Sequence, residues 1–277
     1  MSKNISIIEY IWRNCYQLVV WEQEHKQDDF PSIFGCGFIL KDENDYVFIT
    51  ADHVIHNKDY EAGERTPQEY QYAIVNNICK EDLTTVLTTI YGFYSLESYN
   101  LEPYLKGEEE LDVAQIPDLK DVALSIIKGD HVFEYPFHTH ELRINNQILV
   151  DKGLEKLCLM QDCIAIPSKR KKYLVAGVIQ NFPKGIQWQR CNVIHDNLFF
   201  NEEEKGVFVF KSPEPIRLSE WSGLSGSPFF NEDGELVGMI IRVVEYDNTI
   251  HVLPIRKIIE YINLIRRIEN IDSLPSI

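Results

Sequence analysis

Gly223-Leu224-Ser225-Gly226-Ser227-Pro228 runs directly into Phe229-Phe230-Asn231-Glu232-Asp233-Gly234-Glu235-Leu236-Val237-Gly238. A serine between glycines in a tight turn, followed by an apolar strand, a polar turn and a second apolar strand, suits a hydroxyl that points into a cleft. Its own N–H and that of Gly223 would face the same cleft. Gly223 permits a backbone conformation that a residue with a Cβ adopts only at a cost, and Gly226 leaves room for the backbone of a bound chain. Such a turn presents a nucleophile with oxyanion donors attached. The same residues also fit a plain Gly/Ser-rich hairpin turn, and the choice depends on what stands upstream.

Working outward, Phe34-Gly35-Cys36-Gly37-Phe38-Ile39-Leu40 and Tyr46-Val47-Phe48-Ile49-Thr50 flank a turn and read as a hairpin of β-branched and aromatic residues. Thr50-Ala51-Asp52-His53-Val54-Ile55 follows at once, and puts His53 at the end of a strand. His56, three residues on, is a second candidate and is expected to face solvent. Further along, Lys120-Asp121-Val122-Ala123-Leu124-Ser125-Ile126-Ile127 sets a carboxylate at the start of an apolar strand. Leu111-Asp112-Val113-Ala114-Gln115 repeats Asp-Val-Ala nine residues earlier, with a shorter and less apolar run behind it, so Asp121 is preferred to Asp112.

These three stretches together resemble the trypsin-like (chymotrypsin-fold) serine peptidases. Their motifs are Gly-x-Ser-Gly-Gly-Pro, a Gly-x-Gly-Phe strand leading to Thr-Ala-x-His, and Asp-Ile-Ala-Leu. Ser227 stands here where the second glycine of the pair is usual. The motif style is closest to bacterial cytosolic, HtrA-like peptidase domains without a PDZ module. The resemblance spans about residues 16–268, with close agreement only in the motif regions. It implies an all-β fold, a double six-stranded Greek-key β-barrel with a short N-terminal helix and a C-terminal helix. Residues 1–135 would hold the first barrel with His53 and Asp121, and 136–277 the second with Ser225. It further implies Ser225 as nucleophile, His53 as general base, Asp121 as the acid that orients it, and the N–H groups of Gly223 and Ser225 as the oxyanion hole. Ser219, Ile241, Arg242, Val243 and Thr249 would wall the pocket for the residue before the scissile bond.

On this resemblance the partner is a protein or peptide substrate, and no cofactor or metal is needed. Ser219 stands where trypsin carries an Asp, so a preference for Arg or Lys by that device is not expected. Branched walls favour a small or medium apolar residue, unless Glu220, Arg242 or His251 projects charge inward. Leu224, directly before the nucleophile, cannot accept the ammonium ion that orders many secreted relatives after cleavage, so no proteolytic maturation is expected. Trp221 and Leu224 either receive a regulatory protein partner or pack inward. Other readings are a trypsin-fold binding protein without activity and an esterase of the same chemistry.

The remaining segments fit this plan. Ile5, Ile8, Ile11 and Trp12 share one helical face, and residues 16–22, 70–77 and 84–94 alternate like strands. Residues 143–150, 157–166, 173–180, 191–195 and 206–211 read as strands of the second barrel, followed by 236–244 and 249–253. Pro254 then opens a helix over 255–270 with Ile258, Ile259, Ile262 and Ile265 on one face. The acidic run over 97–115 reads as a solvated loop. Lys169-Arg170-Lys171-Lys172 reads as a charged hairpin tip, and His138-Thr139-His140 as a surface strand lacking a third ligand for a metal.

Composition narrows the partners. The 277 residues carry 43 acidic against 27 basic side chains, a net charge of −16. That field disfavours nucleic-acid backbones and anionic membrane surfaces. Hydrophobic residues make up 44% of the chain, enough for a sizeable core. Six cysteines without a CxxC pair read as buried free thiols. No apolar run approaches the roughly 20 residues of a membrane span, and Glu9, Arg13 and Asn14 interrupt the first one. A cytoplasmic protein is expected.

Overall fold

The computed structural model describes residues 5–22, 31, 33–42, 45–56, 70–77, 85–90, 92–95, 121–127, 137–181 and 189–272. Ser6 caps the first helix, α1 (Ile7–Asn14), by accepting the Glu9 N–H at 3.2 Å. Ile11 and Trp12 carry its buried face, whereas Ile5 precedes the cap and stays exposed.

Seven strands then build an antiparallel sheet: β1 (Tyr16–Glu22), β2 (Ile33–Asp42), β3 (Asp45–Thr50), β4 (Tyr70–Asn77), β5 (Thr85–Ile90), β6 (Phe93–Ser95) and β7 (Ala123–Ile127). Their order is β5-β4-β1-β2-β3-β7-β6. Among the described residues the two ends do not pair, so this half is a half-barrel. Between β3 and β7 lies α2 (Asp52–Ile55).

The second half is a closed six-stranded barrel. It comprises β11 (Lys172–Asn181), β12 (Gln189–Glu204), β13 (Val207–Lys211), β14 (Pro228–Asn231), β15 (Leu236–Val244) and β16 (Thr249–Pro254), in the order β11-β12-β13-β16-β15-β14. Closure comes from Tyr173 and Leu174 of β11, which pair with Asn231 and Phe230 of β14. A one-turn helix, α3 (Leu218–Trp221), precedes the nucleophile-like turn, and α4 (Ile255–Asp272) follows the last strand. The fold is all-β, with a helix near each end, as the sequence leads one to expect.

Alternation explains how the halves join. Tyr173, Val175 and Ile179 point into the closed barrel beside Phe210 and Phe229, with ring centroids 4.7 Å apart for Tyr173–Phe210. Leu174, Ala176 and Val178 point the other way, into the core that lies over the N-terminal sheet. Both faces of β11 are therefore buried, which is why residues 173–179 are apolar without a gap.

Two stretches differ from the expected second-barrel strands. Residues 143–150 form a separate hairpin of β8 (Leu142–Ile144) and β9 (Gln147–Val150). Asn145 and Asn146 take φ of 49° and 64° at its turn, the left-handed pair that asparagine tolerates best and that closes a two-residue hairpin. Within 157–166 only β10 (Leu159–Met160) is strand, and it pairs in parallel with Leu40 and Lys41 of β2. The start of this stretch lies against the N-terminal sheet, where the Leu157 N–H donates to Arg13 O and the Tyr16 hydroxyl donates to Leu157 O. Its end bridges to β15 of the closed barrel, where the Leu236 N–H donates to Cys163 O and the Ala165 N–H to Leu236 O.

The basic run at 169–172 does sit at a turn before β11. Lys171 pairs there with Asp233 and Glu235, both at 2.8 Å. His138 and His140 are half-buried, not on an open surface strand, and His140 O accepts the Trp12 indole N–H.

Candidate active site

β3 and β7 are neighbours, with Thr50 opposite Ala123. The residues just past the end of one and just before the start of the other therefore face each other, and these carry His53 and Asp121. The Asp121 carboxylate accepts the His53 backbone N–H at 3.1 Å, and its two oxygens lie 2.9 and 3.0 Å from Nδ1. A proton on Nδ1 is thereby held, which makes Nε2 the ring nitrogen that carries the basic lone pair. Burial by itself lowers the His53 pKa, but the hydrogen bond and charge of Asp121, with Asp52 behind, outweigh it and raise it above 6.5.

His56 does not face open solvent. It is half-buried, and its Nδ1 lies 3.1 Å from the buried carboxylate of Asp52. Asp112, the rival acid, lies outside the described residues, as does the acidic run around it.

The turn before β14 takes its shape from two glycines, Gly223 at φ 102° and Gly226 at φ 86°. The Leu224 N–H donates to Trp221 O at 3.0 Å, the Ser227 N–H to Leu224 O at 2.9 Å, and the Gly226 N–H to Ile240 O of β15 at 2.8 Å. Among the described residues, no acceptor is bonded to the N–H of Gly223 or Ser225, and the half-buried Ser225 hydroxyl makes no hydrogen bond. Ser227, next along, is fully buried, with Oγ 3.9 Å from the Cys15 thiol. Ser222 is exposed at the end of α3.

Cys36 of β2 ties this turn to the histidine. Its N–H donates to Ser225 O at 2.8 Å, and its own carbonyl accepts the Thr50 hydroxyl at 2.7 Å, three residues before His53. Sequence reasoning missed this anchor, because nothing in a Gly-Cys-Gly strand announces a partner nearly two hundred residues away. It also misassigned Gly226. The space beside that Cα is filled by Cys36 O and Thr50 Oγ1, not left for a bound chain, and an added Cβ would fall inside the Cys36 carbonyl.

Gly226→Ala should therefore cost about 3 kcal/mol, from the left-handed backbone together with the overlap. A thermal melt lowered by roughly 6–12 °C is the expected reading, and an unchanged melt would contradict the packing.

Of the residues expected to wall a substrate pocket, Ser219 is exposed on α3, Ile241 and Val243 are half-buried, Arg242 is exposed and Thr249 is buried. Thr249 Oγ1 donates to Asp247 at 2.6 Å, so that hydroxyl already has a partner. Among the described residues β14 pairs with β15 only over Leu236, Gly238 and Met239. Arg242, Val243 and Val244 pair on their other side, with β16. Among the described residues no strand pairs with this edge of β15 beyond Ile240, the residue whose carbonyl holds Gly226. Burial and the neighbouring Arg242 cation both lower the His251 pKa, so that ring adds no charge to the rim at neutral pH.

No family model and no curated protein matches the sequence. Among solved structures, a serine endoprotease from Yersinia pestis is similar over 96% of this chain and 68% of its own, with 12% identity and a TM-score of 0.48. At that identity and overlap the likeness says nothing about chemistry, which has to come from the residues themselves. Among the described residues, no helix is long and apolar enough to cross a membrane, and no group of three or more His, Cys, Asp or Glu side chains is placed to hold a metal.

Proposed function

We propose that the chain is a trypsin-like serine endopeptidase, with Ser225 as nucleophile, His53 as general base and Asp121 as the group that orients it. One observation carries this reading: a half-buried His53–Asp121 pair and a glycine-framed Ser225 turn are linked through Cys36, which bonds Ser225 on one side and Thr50, three residues before His53, on the other. His53 Nε2 takes the Ser225 proton as Oγ attacks a peptide carbonyl, and returns it to the leaving amine. Asp121 keeps the accepting tautomer and stabilises the imidazolium. The N–H groups of Gly223 and Ser225 receive the oxyanion, at about 3–4 kcal/mol per donor in comparable sites. An extended peptide would lie along the β15 edge at Ile241, Arg242 and Val243, with Ser219 and Thr249 lining the pocket for the residue before the scissile bond. Protein or peptide is the substrate class, and a cytoplasmic location agrees with the free thiols of Cys15 and Cys36.

A fluorophosphonate probe tests the assignment: one phosphonyl group mapped to Ser225 by peptide mass supports it. An unlabelled, folded protein would instead point to a binding role. The pH profile is a second check. The base must be neutral to work, and its pKa is raised, so activity is present above that pKa and lost as pH falls through it. The acid limb of kcat/KM should have its midpoint above about 6.5, the ordinary histidine value. A midpoint at or below that value would mean that Asp121 does not act on His53 as described.

A further inference from the structure

The Gly223 and Ser225 N–H groups can meet an oxyanion only if residues 219–226 hold their shape. Leu224 offers no charge for an ion pair to do this. Its side chain is buried and fills the space beside Gly177, where an added Cβ would come within 2.5 Å of Cδ2. Trp221 is buried too, at 4% exposure, so neither residue presents a face to a partner.

β12 supplies a clamp instead. The His195 ring lies flat on Trp221, with centroids 3.8 Å apart and planes 10° from parallel. His195 Nε2 is 3.0 Å from Glu220 O, to which its N–H donates. Trp221 O in turn accepts the Leu224 N–H. One imidazole thus grips both a ring and a carbonyl in the last turn of α3, and Gly223 is two residues further on. Burial lowers the His195 pKa against the opposing pull of Glu220, Asp196 and Glu214, so the ring is neutral at pH 7 and the Nε2–H tautomer is fixed by its acceptor.

We propose that His195 is a positioning residue that sets the oxyanion donors of Gly223 and Ser225 by clamping Glu220 and Trp221. The inference rests on Ser225 being the nucleophile. A wrongly placed donor weakens binding of the transition state but not of the substrate backbone, so the loss falls on kcat.

The test compares the full chain with His195→Ala and His195→Gln. With a chromogenic peptide, His195→Ala should lose about a hundredfold in kcat, with KM within about twofold. Affinity for a peptidyl aldehyde, which forms an oxyanion on binding, should fall in parallel. His195→Gln, whose side-chain amide can reach Glu220 O, should recover most of the turnover. Backbone hydrogen exchange reads the clamp without any catalysis: exchange over residues 219–226 should speed up in His195→Ala and nowhere else. If turnover and exchange both match the parent, the proposal is wrong. If exchange speeds up while even the parent cleaves nothing and takes no probe, the clamp stands and the peptidase reading fails. Should His195→Ala not fold, His195→Phe, which keeps the stack and loses the bond, replaces it in the same comparison, and parent-like turnover there would overturn the role of the Glu220 contact.

Discussion

Ser225→Ala is expected to abolish fluorophosphonate labelling and to lower peptide turnover by about 10⁶, the scale seen when a triad nucleophile is removed. The melting temperature should stay within about 2 °C of the parent, because a hydroxyl at a half-buried position without hydrogen bonds is exchanged for hydrogen. The tie to Cys36 runs through the Ser225 carbonyl and survives the change. Undiminished cleavage by Ser225→Ala would end the assignment. Ser227 is a poor substitute nucleophile, since it is fully buried against Cys15, and Ser222 points to solvent at the end of α3.

Asp121→Asn should lower kcat by about 10⁴ with little change in KM. The carboxylate accepts two N–H groups from His53, one from the backbone and one from Nδ1. An asparagine can still accept the first through its oxygen, but then turns its own NH₂ toward the ring. That donor is satisfied only by a bare Nδ1, which moves the ring proton to Nε2 and leaves no lone pair for the Ser225 hydroxyl. Turnover by stopped assay with a peptide substrate measures this directly. The same substitution at Asp112 should leave kcat within about threefold, and the opposite ranking would move the orienting role to Asp112.

Local pattern made part of this legible. Phe34 to Thr50 is a hairpin buried on both faces from Cys36 to Leu40 and from Val47 to Thr50, and its β-branched and aromatic residues, broken by one polar turn, give the strands almost to the residue. His53 and Asp121 were readable for the same reason, since each borders an apolar strand and those strands pair. Contacts made over long separations were not. Gly226 looks like room for a ligand until Cys36 is brought against it. The Asn145-Asn146 turn split a segment that reads as one strand. β10 is two residues long and borrows its partner from β2, too little to register as periodicity. His195 carries no local signal at all, because its meaning depends on a tryptophan on another element. Trp221 and Leu224 admitted two readings from sequence, and only burial against His195 and Gly177 separates them.

The bond from Cys36 to Ser225, together with closure of the barrel by β14 on β11, also fixes when the site comes into being during synthesis. His53 leaves the ribosome early and Ser225 late, separated by about ten to thirty seconds of elongation. The turn around Ser225 has no shape until Ile240 is present to hold Gly226 and β2 is present to hold Ser225. On the peptidase reading, a growing or truncated chain is therefore inert toward its neighbours, and hydrolytic competence arrives in one step as the last strands dock.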